Sequence, residues 1–210
     1  MKIVKNLKND ELERLCVLIE DDYEYDKLDR SILMDFLSMG EVCQYERGEL
    51  LGGADEIDTH IYILIEGLTR QWYWNGDKEV TKGFGLPPTI SIHYLSYYGD
   101  RPSHVYYEAC CISKVLRFTK EVFDEFTQKS HEFALWHLNC VQNQLYYYEL
   151  KDSRIRGSVR EQYEALEKNR PEIIQNVSLK TIASYIGVSP QYLSKIRNKN
   201  HKKAKNGNID

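Results

Sequence analysis

The sequence has little with which to staple, anchor or metallate a fold. Its five cysteines stand at 16, 43, 110, 111 and 140 and form no C-x-x-C pair. They read as reduced thiols, buried or incidental, and not as a disulfide framework. The longest clearly apolar run, Ile61 to Ile65, is far too short to span a bilayer. No apolar leader opens the chain. These absences predict a cytoplasmic protein with no membrane partner. The six histidines, at 60, 93, 104, 131, 137 and 201, include no H-x-H. His131 and His137 share a predicted helix but not a face. The chain also lacks a nucleophile elbow, a Gly-rich phosphate loop and paired catalytic carboxylates. No catalytic residue, metal site or cofactor is expected.

Acidic residues are missing from one region in particular. Between Ser178 and Lys205 there are seven basic side chains and no acidic one. The net charge of −4 over 210 residues hides this. Residues 156–210 carry eleven Lys and Arg against five Asp and Glu. The remainder is strongly acidic. Such one-sided charge is an electrostatic footprint for a polyanion, although a solvated tail would show it too.

The chain divides by pattern. In residues 1–40, Leu12, Leu15 and Ile19 fit one helical face, and Ile32, Leu33, Phe36 and Leu37 another. From 41 to 119, short β-prone runs alternate with turn signals, among them Trp72-Tyr73-Trp74 followed by Asn75-Gly76. Many short strands at near-regular spacing predict an antiparallel β-roll. Thr119 is expected to cap a short helix. A longer helix follows, with Ala134, Leu138, Val141, Leu145 and Tyr148 at heptad spacing, a predicted dimer seam. Gly157-Ser158 breaks the pattern, and Ser158 to Glu161 reads as a capping box. The predicted domains are therefore 1–130, a β-roll with a helical arm; 131–156, a dimerisation helix; and 157–210, a DNA-binding unit. The Lys/Asn-rich end, Asn198–Asn208, is expected to be disordered.

The most informative stretch is Leu179–Asn198. Ser178 is a plausible N-cap. Ile182 and Ile186 lie one turn apart and face inward. Ala183 is small enough for a second helix to cross closely. Gly187 falls where the chain must turn with positive φ. Val188 plugs the turn, Ser189 caps the next helix, and Pro190 suits its first position. Leu193 and Ile196 bury that helix. A plain helical hairpin needs the apolar positions but not the small residue, the glycine and the cap at these offsets. The stretch predicts a helix-turn-helix that binds double-stranded DNA. Burial of Leu193 and Ile196 turns Gln191, Ser194, Lys195 and Asn198 outward to read bases. Lys180, Ser189, Arg197 and Lys199 are expected to meet phosphates.

The order of arm, β-roll, heptad helix and helix-turn-helix resembles the Crp/Fnr family. The likeness rests on Tyr45-Glu46-Arg47-Gly48-Glu49-Leu50-Leu51, on Ile61–Gly67 and on Asn75-Gly76-Asp77-Lys78-Glu79. Arg160-Glu-Gln-Tyr163, Arg170-Pro-Glu-Ile-Ile174, Ile182–Gly187 and Leu193–Arg197 resemble one branch of it. The resemblance implies an α+β chain: a cyclic-nucleotide-binding-like jelly-roll, a dimerisation helix and an all-α helix-turn-helix domain. It implies a homodimeric transcription regulator whose roll holds an effector, with RNA polymerase as a further partner. Members that bind cyclic nucleotides carry a Gly-Glu and an Arg-Ser/Thr pair. Here Gly83–Tyr107 holds one acid and one base, Asp100 and Arg101, and Pro102 precedes Ser103. Cyclic AMP is not the expected effector. Trp72, Trp74, Arg101 and Ser103 are the candidate lining of an effector pocket.

Two other readings compete. One is a ligand-independent DNA-binding protein whose roll is only a scaffold. The other, weaker, is a cupin-type metal enzyme built in the roll.

Overall fold

In the computed structural model the chain forms two antiparallel sheets followed by a series of helices. The structure describes residues 1–4, 7–22, 28–52, 55–154 and 157–206. A short strand β1 (Lys2–Ile3) precedes helices α1 (Asn9–Asp22) and α2 (Arg30–Ser38). Then come β2 (Glu41–Tyr45), β3 (Ile61–Glu66), β4 (Thr69–Asn75), β5 (Lys78–Gly85) and β6 (Ile90–Ile92). A one-and-a-half-turn helix α3 (Tyr94–Gly99) leads to β7 (Val105–Ala109) and β8 (Ser113–Phe118). The helical half is α4 (Lys120–Lys129), α5 (His131–Arg154), α6 (Val159–Asn169), α7 (Pro171–Asn176), α8 (Leu179–Ile186) and α9 (Pro190–Asn206).

The larger sheet runs β1-β2-β8-β3-β6 and the smaller β5-β4-β7. The predicted hairpin is β4–β5. Its last pair is Asn75 with Lys78, so Gly76 and Asp77 make the turn. Gly76 has φ 63°, the conformation glycine adopts at no steric cost. A bulge at Gln71/Trp72 leaves Lys82 as the extra residue on β5.

The arm folds onto the roll because its apolar faces have the helical period. Leu12, Leu15 and Ile19 of α1 and Leu33, Phe36 and Leu37 of α2 are buried together. Phe36 stacks on Phe118 with centroids 4.3 Å apart and meets Phe133 edge-on at 4.9 Å. Strand β8 is thereby joined to α2 and to the start of α5. Ser130 satisfies the Phe133 N–H at 3.1 Å and begins α5. Thr119 caps α4, accepting from Val122 N–H.

Beyond residue 156 the local signals act as expected. Ser158 and Glu161 form both halves of the capping box of α6. Tyr163 and Leu166 are its buried residues. In the Lys/Asn-rich segment α9 continues to Asn206, and residues 207 and 208 of that segment lie outside the described residues. From Gln191 to Asn206 it holds no Gly or Pro, and Lys and Arg are good helix formers, so nothing in the backbone stops it earlier.

Candidate nucleic-acid interface

Helices α8 and α9 build the interface from three local devices. Ser178 caps α8, its hydroxyl accepting from Thr181 N–H at 3.1 Å. Gly187 ends α8 in the left-handed region, φ 84° and ψ 30°, and donates to the Ala183 carbonyl at 2.9 Å. Val188 N–H reaches the same carbonyl at 2.9 Å, which closes the turn. An added Cβ at Gly187 would meet no atom within 4 Å, so backbone conformation and not crowding selects glycine. Ser189 then accepts from Tyr192 N–H at 3.2 Å and starts α9 at Pro190.

The rotation of α9 follows from its burial. Leu193 is fully buried, and Ile196 is half-buried. Gln191, Lys195 and Asn198 are exposed on the opposite side, with Ser194 half-buried between them. Lys180 and Ser189 are exposed beside that face. Arg197 is half-buried. The Lys199 side chain lies outside the described residues. Tyr192, absent from the predicted contacts, is 49% exposed at the edge of the same face. Its place between Gln191 and Leu193 was the available signal.

Along α5 the predicted seam divides. Leu138 and Leu145 are exposed, joined by Leu135, Tyr146 and Tyr147. Ala134, Val141 and Tyr148 are half-buried. Tyr148 donates to the Gln71 side chain of β4 at 3.0 Å, so it faces its own roll and not outward.

Neither family models nor curated proteins match the sequence. Solved structures do match the fold. A putative regulator of the Crp/Fnr family from Eubacterium rectale aligns with TM-score 0.65 and 12% identity, over 84% of this chain and 85% of that one. FixK2 from Bradyrhizobium japonicum aligns with TM-score 0.66 and 16% identity, over 79% and 86%. The c-di-GMP-responsive global regulator CLP from Xanthomonas campestris aligns with TM-score 0.67 and 16% identity, over 84% and 93%. The chain shares the fold of these solved structures.

Within that fold, a cavity of about 920 Å³ opens between β5, β6, α5 and α6. Gln71, Tyr107 and Tyr148 line it and bond to each other: Gln71 Nε2 donates to Tyr107 Oη at 2.9 Å, and Tyr107 Oη to the Ile92 carbonyl at 3.2 Å. Burial pushes the Tyr107 phenol far above its ordinary pKa, so it stays neutral. Lys82, the bulge residue, lies over the Tyr148 ring at 4.8 Å. Tyr94 donates to Gln144 nearby.

The predicted pocket residues stand elsewhere. Trp72 stacks on Tyr106 at 4.3 Å, with Arg70 over its ring at 5.0 Å, on the opposite face of β4 from Gln71. Trp74 packs edge-on to Trp72 and is half-exposed. Arg101 is exposed, and the buried Ser103 hydroxyl accepts from Val105 N–H at 3.1 Å. None of the four lines the cavity. The period of two gives β4 two faces, and Gln71 and Trp72 stand on opposite ones. Among the described residues, no group of three His, Cys, Asp or Glu is placed to hold a metal. No helix of the described residues is long and apolar enough to cross a membrane.

Proposed function

We propose that this chain is a sequence-specific, homodimeric DNA-binding transcription regulator of the cytoplasm. The observation that carries the reading is the outer face of α9. Gln191, Lys195 and Asn198 are exposed on a helix whose inner residue, Leu193, is fully buried, in a region without an acidic side chain. Gln suits adenine in bidentate fashion, and Lys reaches guanine O6 or N7. Lys180 and Ser189 flank them and suit phosphates. Residues 1–130 serve as the roll, 131–156 as the dimerisation helix and 157–210 as the reader. Exposed Leu138 and Leu145 on α5 support pairing with a second copy. The cavity supports control by a small ligand over a roll that is scaffold alone, and RNA polymerase is the natural target of such control. Selection from a random duplex pool tests the reading. Enrichment of a two-fold-symmetric site is expected; a pool that stays random overturns it.

A further inference from the structure

Strand β5 is an edge of the smaller sheet. Half of its N–H and C=O groups therefore face away from β4, and such groups need partners when they are covered. Ser184, midway along α8, supplies both. Its hydroxyl donates to the Glu79 carbonyl at 2.8 Å and accepts from Thr81 N–H at 3.0 Å. One side chain thus replaces one rung of a missing neighbouring strand. The contact is backed by packing. Phe84 and Tyr185 place their rings 5.2 Å apart. Leu68 and Cys110 of the roll share one apolar core with Tyr163, Leu166, Ile182 and Ala183. Meanwhile Gln191, Lys195 and Asn198 remain exposed, so docking leaves the reading face open.

We propose that Ser184 is a positioning residue for DNA binding. It locks the helix-turn-helix onto the β5 edge, so that the roll, and not the covalent connection alone, sets where α9 stands. Two readers held in place meet two half-sites without first losing orientational freedom, which favours the specific site. A single reader on unrelated DNA gains nothing from that. The same strand lines the cavity through Lys82, Gly83 and Phe84. The inference rests on the DNA-binding reading above.

The test uses the full chain and its Ser184→Ala and Ser184→Thr variants. Hydrogen exchange at the Thr81 amide reports the clamp. Affinity is measured for a duplex selected by the unmutated protein and for a scrambled duplex. Ser184→Ala should speed exchange at Thr81 and weaken the selected duplex, each by about tenfold, the size expected when buried groups lose their hydrogen bonds. Scrambled-duplex affinity should hold, and Ser184→Thr, which keeps the hydroxyl, should restore most of both. Tyr185→Ala loosens the same contact from the next residue and must move both readouts the same way, which covers the event that Ser184→Ala fails to fold. Unchanged protection at Thr81 overturns the clamp. So does selected-duplex affinity that stays level or rises. Failure of the unmutated protein to enrich any duplex is seen before a variant is made and overturns the DNA-binding reading instead.

Discussion

Tyr148 and Gln71 join α5 to β4 of the same chain through a hydrogen bond of 3.0 Å. Tyr148 therefore has its partner before a second copy arrives, and the face left for pairing carries Leu138 and Leu145. Replacing both leucines by Glu should give monomers that bind the selected duplex weakly, because buried like charges oppose pairing. Tyr148→Phe should leave the dimer intact. Sedimentation at micromolar concentration distinguishes them. An unmutated chain that is monomeric there would end the seam hypothesis.

Base and phosphate contacts should separate by salt. Gln191→Ala is expected to weaken the selected duplex by roughly 1–3 kcal/mol and to leave the scrambled duplex nearly unaffected. Lys180→Ala should weaken both alike and reduce the salt slope by about one unit. A salt series on both duplexes decides. Matching patterns for the two variants would mean that α9 is rotated from the position described.

Cyclic AMP should bind poorly. Its phosphate needs a buried cation and N–H donors. Arg101 is exposed and Ser103 is spent on Val105, both away from the cavity. The cavity's Lys82 lies against Tyr148. Calorimetry at millimolar nucleotide should show no saturable heat. A micromolar isotherm would refute this, and loss of that isotherm in Lys82→Ala would locate the site.

Stability should fall as the solution is acidified, in two stages. Burial lowers the pKa of His93 and of His137 below the ordinary 6.5. The unfolded chain then takes up protons that the folded chain does not, so stability is lost as pH drops below that value. Asp58 is different. Burial works to raise its pKa, but hydrogen bonds from His60 and Tyr62 outweigh it and hold the carboxyl below its ordinary 3.8. Its contribution is present above that value and is lost as pH falls through the lowered one. Denaturation midpoints between pH 8 and pH 3 should show both stages, and His137→Phe should flatten only the first. A midpoint constant from pH 7 to pH 5 would contradict the histidine assignment.

Local signals carried most of what was legible in the sequence. The caps at Thr119, Ser158, Ser178 and Ser189 and the turn at Gly187 each involve groups within a few residues of one another. Their geometry is fixed by near-neighbour sterics and hydrogen bonding, whatever the rest of the chain does. The rotation of α9 was legible for the same reason, since Leu193 and Ile196 determine it.

What joins distant segments was decided only by the tertiary structure. Period two along β4 left open whether Gln71 or Trp72 lines the cavity, and the bulge that shifts the register pairs residues some ten positions apart. Heptad spacing on α5 could not show that Tyr148 would turn to Gln71, because that bond spans 77 positions. Nothing in the sequence singles out Ser184. Its use on β5 depends on which strand ends up at the sheet edge, and strand order is a property of the whole fold. Short-range sterics act between residues that chain connectivity already holds close. The pairing of a hydroxyl with an edge strand 105 residues away depends instead on how all the intervening elements pack.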